Sequence, residues 1–157
     1  PDTMETTFRL PGGCLLVFGQ YEANENNPLK RGHFELRGTK GTLYVEDGGY
    51  EIVPEKGGQF QDPKPRMEAV TQKNPLDSAG DFTVAHIGNF LDCVKTRALP
   101  LADVEVGHRS TTFSHLGNIA LATESLLKWD AKAERVTNND AANGLLHYEY
   151  REPWKLG

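Results

Sequence analysis

The amino-acid sequence predicts an α+β fold: an open-faced, mainly antiparallel β-sheet with helices packed on one face. Three observations predict it. The first half alternates short apolar runs with glycine turns, the pattern of hairpins and meanders. The second half places its apolar residues at helical spacing. The two kinds of element are segregated along the chain, meander first and helices later, which implies helices packed on one face of an antiparallel sheet.

Thr6, Phe8 and Leu10 alternate with Thr7 and Arg9, as in a half-buried strand. Pro11-Gly12-Gly13 is a turn signal, and the apolar run Cys14 to Gln20 reads as a second, more buried strand completing a hairpin. Tyr21 to Arg31, with Asn24, Asn26, Asn27 and Pro28, reads as an exposed loop. Phe34-Glu35-Leu36 is a third strand, Gly38-Thr39-Lys40-Gly41 a tight turn and Thr42 to Val45 a fourth strand. Gly48-Gly49 then turns into a fifth strand, Tyr50 to Val53. Alternating polarity leaves one sheet face covered and the other free or paired with a partner chain. From 54 to 80, Pro54, Pro63, Pro65 and Pro75 with Gly57 and Gly58 predict a long irregular connection.

Asp81 is placed to cap a helix from Phe82 to Arg97, with Ile87, Phe90, Leu91 and Val94 as a core-facing stripe. Lys95 and Arg97 suit the last turn, and Pro100 ends it. A second helix is expected from near Asp103 to about Leu126, with Phe113, Leu116, Ile119 and Ala120 inward. Leu127 to Trp129 reads as a short strand. Asp140 is expected to cap a third helix bearing Ala141, Leu145 and Tyr148, followed by a tail extended around Pro153.

The 157 residues suit a single domain spanning 1–157. With 17 basic and 22 acidic side chains the formal charge is −5, the wrong balance for a nucleic-acid binder. No apolar run is long enough to span a bilayer, so no membrane partner is expected and the protein reads as soluble, cytoplasmic or periplasmic. Pro1 is not an initiator methionine, so the N-terminus says nothing about targeting. Cys14 and Cys93 are too few for a disulfide scaffold or a thiolate metal site and read as small buried hydrophobes.

The sequence lacks GxGxxG after a strand, a P-loop, HExxH and GxSxG. His108 and His115 share a helix face at i, i+7, but two turns separate them by roughly 10.5 Å of rise. Zinc–nitrogen bonds are about 2.0–2.1 Å, so one ion does not bridge them. His86 with Asn89, and His115 with Asn118, are hydrogen-bond-capable pairs at i, i+3. Arg109 and Arg151 suit a carboxylate, a phosphate or a surface ion pair. Asp103 and Glu105 are explained by capping and the helix dipole. Glu22, Glu25, Glu46, Asp47 and Glu55 have no paired spacing and read as solvated. His33 and His147 are structural, and Trp129 and Trp154 read as packing residues or an aromatic platform for a sugar. On these grounds no catalytic, cofactor-binding or metal-binding residue is assigned.

One set of motifs is ordered along the second half: His86-Ile-Gly-Asn89-Phe90-Leu91-Asp92-Cys93-Val94, Asp103-Val-Glu105-Val-Gly107-His108 and His115-Leu116-Gly117-Asn118-Ile119-Ala120. Leu127-Lys128-Trp129-Asp130, Asp140-Ala141-Ala142-Asn143 and Tyr150-Arg151-Glu152-Pro153-Trp154 follow. With Gly38-Thr39-Lys40-Gly41-Thr42-Leu43 in the first half, this order resembles the C-terminal α/β domain of the Gfo/Idh/MocA (glucose-fructose oxidoreductase / inositol dehydrogenase) family, in a bacterial subgroup acting on sugar-like substrates. The resemblance implies that NAD or NADP belongs to the full-length protein, on a Rossmann domain N-terminal to this one, and that this chain alone binds no cofactor and is inactive. It implies a homo-oligomer through the open sheet face. It makes His86, His108, Arg109 and His115 candidates for the substrate side or the domain interface. The alternative reading is a free-standing self-association or binding module without chemistry; an independent sugar hydrolase fits less well, because paired carboxylates are not evident.

Overall fold

The computed structural model describes residues 2–23, 34–57, 64–75 and 79–154. Most of the expected loop after Tyr21, together with His33, Gly58 and Pro63, lies outside the described residues. The fold is α+β, with antiparallel sheets and three helices. The chain divides into two compact units, described in turn: 1–4 with 20–101, and 5–19 with 102–157.

The first unit is built on a four-stranded sheet. Strands β3 (Phe34–Arg37), β4 (Gly41–Glu46), β5 (Gly49–Pro54) and β6 (Val70–Lys73) pair antiparallel in sequence order, the meander expected from the glycine turns. The register sets Phe34, Val45, Tyr50 and Gln72 in one row and Leu36, Leu43, Ile52 and Val70 in another on the same face. The opposite face carries Glu35, Tyr44, Glu51 and Thr71 in one row and Arg37, Thr42 and Val53 in the next. One face is therefore mainly apolar and the other mainly polar. The apolar face stays open: Phe34 is 44% exposed and Leu36 49%.

Strand β6 corrects the expectation of an irregular 54–80 connection. The prolines punctuate the segment, but Val70 and Thr71 form a β-branched pair between them that completes the sheet edge. The segment also returns to the sheet earlier: Arg66 N–H donates to the Glu55 carbonyl at 2.9 Å and Arg66 Nη1 to the Thr39 carbonyl at 2.9 Å.

Helix α1 (Ala79–Thr96) begins two residues before Asp81, which sits inside the first turn rather than at the cap. Its apolar stripe is present but not core-facing: Ile87, Phe90, Leu91 and Val94 are between 46% and 56% exposed. The face behind the stripe is the tethered one. Asn89 is half-buried, and its Oδ1 accepts from the Leu101 N–H at 2.9 Å, folding the chain after the helix back along it.

The second unit contains most of the first hairpin, β1 (Thr3–Arg9) with β2 (Leu15–Tyr21). Its turn depends on Gly12 and Gly13, both at φ +86°, a conformation unfavourable for a side chain. Strand β2 is not the more buried strand: Leu15 is 60% exposed and Val17 59%, and Cys14, expected to be buried, is exposed at the turn before it, while Cys93 on α1 is only half-buried. Phe8 of β1 packs edge-on against Phe113 of helix α2 (Val104–Thr123), centroids 5.0 Å apart at 86°.

The core of this unit is Leu116, Ile119, Val136 and Ala142, with Phe8, Leu127, Trp129 and Leu146 around it. Val136 lies on β8 (Arg135–Val136), paired with β7 (Trp129–Asp130). Ala142 lies on α3 (Asp140–Gly144). That helix is shorter than expected, ending before Leu145 and Tyr148. It is capped by Asn139, whose Oδ1 accepts from the Ala142 N–H at 3.1 Å, and Asp140 is its first residue. The inward residue is therefore Ala142, while Ala141 and Leu145 face solvent. The tail turns rather than extends, Trp154 N–H donating to the Arg151 carbonyl at 3.1 Å.

Candidate functional site

Three of the four candidate residues, His108, Arg109 and His115, lie on α2. The helix starts where Asp103, in an extended conformation, accepts from the Glu105 N–H at 3.2 Å. That bond satisfies a first-turn donor. Glu105 then reaches one turn along to Arg109, its Oε1 pairing with Nη2. The acid stands N-terminal to the base, as the helix dipole favours.

His108 is held from outside the helix. Its Nε2 lies 2.8 Å from Glu134 Oε1. The contact is an ion pair when the imidazole is protonated. Glu134 sits at φ +49°, at the end of the turn joining β7 to β8. Asp130 builds that turn: its Oδ1 accepts from the Lys132 N–H at 2.9 Å and the Ala133 N–H at 3.0 Å. These bonds, the one from Ala133 foremost, hold the Asp130 carboxyl below its ordinary range, with Arg135 adding to the effect.

Behind the turn, three asparagines stitch the short hairpin down. Asn143 pairs with Val136 as a strand would, accepting from its N–H and donating to its carbonyl, both at 2.8 Å. Asn138 accepts from the Lys128 N–H at 2.7 Å and donates to the Leu126 carbonyl at 2.8 Å. Asn139 donates to Ser125 Oγ at 2.8 Å. Buried backbone groups need such partners, and a two-residue ladder supplies few.

The α2 face thus presents His108 with Glu134, Arg109 with Glu105, and exposed His115 further along the same helix. Each pair is half-exposed. Each therefore contributes about 0–1 kcal/mol. His86 lies on α1, exposed, in the other unit; Asn89 beside it is used by the Leu101 N–H. Among the described residues no group of three His, Cys, Asp or Glu side chains is arranged to hold a metal. Glu134, Asp130 and the asparagines escape sequence reasoning. The available signal is an Asp followed by two turn residues whose N–H groups it can accept.

The N-terminus of α2 does not fit a dinucleotide. Asp103 and Glu105 stand there, the wrong sign for a pyrophosphate. No glycine-rich turn joins a strand to a helix among the described residues.

Fold and site together define an α+β chain with charged pairs along helix α2 and a four-stranded sheet whose apolar face is half-exposed. The family model described as "Oxidoreductase family, C-terminal alpha/beta domain" matches residues 40–156. The chain belongs to the Gfo/Idh/MocA oxidoreductase family and is the C-terminal domain of such a protein. No curated protein and no solved structure matches it.

Proposed function

We propose that this chain, acting as one domain, is the substrate-side and oligomerisation domain of an NAD(P)-dependent oxidoreductase working on a sugar or cyclitol hydroxyl. The observation that carries the reading is the family match over residues 40–156. The cofactor, NAD or NADP, supplies hydride transfer from a Rossmann domain N-terminal to this one. This chain's residues supply surface and position. His108, with Nε2 against Glu134, offers an imidazole to the domain interface, and Arg109 offers a planar donor group beside it. His86 and His115 are placed on the same interface or on the substrate side.

The oligomer forms through the apolar face of the β3–β6 sheet. A row of Phe34, Val45 and Tyr50 beside a row of Leu36, Leu43, Ile52 and Val70 carries no charge, so a second copy meets no unpaired ion there. Calorimetry with NADH and NADPH tests the division of labour. The 157-residue chain is expected to show no saturable binding, and micromolar affinity for either would overturn it.

A further inference from the structure

Two neighbouring residues on α3 stand differently towards the fold. Asn143 is half-buried, and its amide clamps Val136 at both ends, Oδ1 accepting from the Val136 N–H and Nδ2 donating to the Val136 carbonyl, each at 2.8 Å. Gly144 is exposed, its backbone is helical, and a Cβ added to it would meet open space. A glycine at a helical position is less stable than an alanine there. Packing therefore explains the asparagine and leaves the glycine unexplained. Together they form the one Asn-Gly step in the sequence.

Such a step carries a reaction that needs only water. The Gly144 backbone nitrogen gives up its proton and attacks Asn143 Cγ. The N–Cγ bond forms, the Cγ–Nδ2 bond breaks, and ammonia leaves with the proton. Water then opens the succinimide ring at either carbonyl, leaving aspartate or isoaspartate at 143, with no oxidation or reduction. Glycine favours the attack, because no side chain shields the nitrogen and the backbone turns freely into line. In the folded chain the helical backbone of α3 and the two bonds to Val136 hold the nitrogen and Cγ apart. Both restraints are released when the β7–β8 hairpin lifts, and local openings of this kind set the rate of reaction at protected groups.

We propose that Asn143–Gly144 is a spontaneous deamidation site whose gate is the β7–β8 hairpin. The product does not restore the clamp. A carboxylate at 143 accepts from the Val136 N–H but has no hydrogen to donate to the Val136 carbonyl. Isoaspartate also inserts a backbone carbon into α3 next to Ala142, which is fully buried. A hairpin that has reacted while open therefore closes less well. The proposal needs neither the cofactor nor a neighbouring domain, so it stands or falls apart from the redox reading.

The test incubates the 157-residue chain at mildly alkaline pH, folded and in urea, and follows the amide-to-acid mass gain at Asn143 by peptide mass spectrometry. The folded chain is expected to react about tenfold or more slowly than the chain in urea. Asn138→Ala removes the bonds to the Lys128 N–H and the Leu126 carbonyl at the open end of the same hairpin. It is expected to raise the folded-state rate about fivefold or more and to leave the rate in urea unchanged. Gly144→Ala is expected to suppress the reaction in both conditions, with amide dispersion reporting that both variants are folded. Equal rates in the folded and urea-treated chain, or an unchanged folded-state rate in Asn138→Ala, would overturn the gate. No mass gain at Asn143 in urea, or an undiminished one in Gly144→Ala, would overturn the site.

Discussion

The two units handle apolar surface in opposite ways. Around α2 the core closes: Leu116, Ile119, Val136 and Ala142 are buried, the last two almost completely, and Asn138, Asn139 and Asn143 satisfy the backbone around them. On the β3–β6 sheet Phe34, Leu36 and Tyr50 remain half-exposed, and so does the stripe of α1. Hydrophobic burial stabilises in proportion to the area removed from water. The second unit obtains that stabilisation within its core, while much of the apolar sheet face, among the described residues, stays in contact with water. Regularity of secondary structure therefore does not mark where the core is. The unit with the better ladder has the poorer core.

Substitutions sharpen this contrast. The largest expected effect is Leu116→Ala, which opens a cavity in the closed core. It should destabilise by about 2–5 kcal/mol in chemical denaturation. An equal cost for Leu36→Ala, measured at a concentration where the chain is monomeric, would erase the distinction between the two regions. Asn143→Ala leaves the Val136 N–H and carbonyl without partners beside the core. Its expected cost is about 1–3 kcal/mol. A neutral result would mean that the hairpin does not need its asparagine clamp.

The acid response is smaller and confined to the β7–β8 turn. The folded-state pKa of Asp130 is depressed, so its contribution is complete above the ordinary carboxylate range and is lost as pH falls through the lower folded value. The turn should therefore loosen below about pH 4 and stay closed near about pH 6. Accelerated amide exchange at Lys132 and Ala133, relative to the rest of the chain, reads that loosening. In Asp130→Asn the acid step should disappear. The smallest effect concerns the tail. Tyr150 titrates above the ordinary phenol range, chiefly through desolvation and then through Tyr148, its ring neighbour at 5.0 Å. Tyr148→Phe should move the Tyr150 ultraviolet titration downward, and an unmoved curve would detach the two rings.

The fold is legible in the sequence wherever local chemistry decides it. Glycine turns mark the hairpin and the meander, Asp103 marks the start of α2, and the spacing of Leu116 and Ile119 marks the face that is buried. Sequence and structure part where a local signal competes with a tertiary one. Prolines at 63, 65 and 75 hide the short strand β6, whose pairing partner lies well upstream on β5. Asp140 and Asn139 are both good caps, and the Ala142 N–H makes the choice. The stripe of α1 is real as a stripe, but a sequence pattern does not state what covers it. The candidate site is legible in part. His108 and Arg109 are visible on the helix, whereas Glu134 becomes relevant only because a turn 26 residues later brings it back to α2.

The proposed assembly forms through the apolar sheet face. Light scattering coupled to size exclusion, on the wild-type chain and on Leu36→Asp at high concentration, tests it directly. The wild type is expected to elute as a dimer or larger species and the variant as a folded monomer. A wild-type monomer across the concentration range, or an assembly that Leu36→Asp leaves intact, would contradict it.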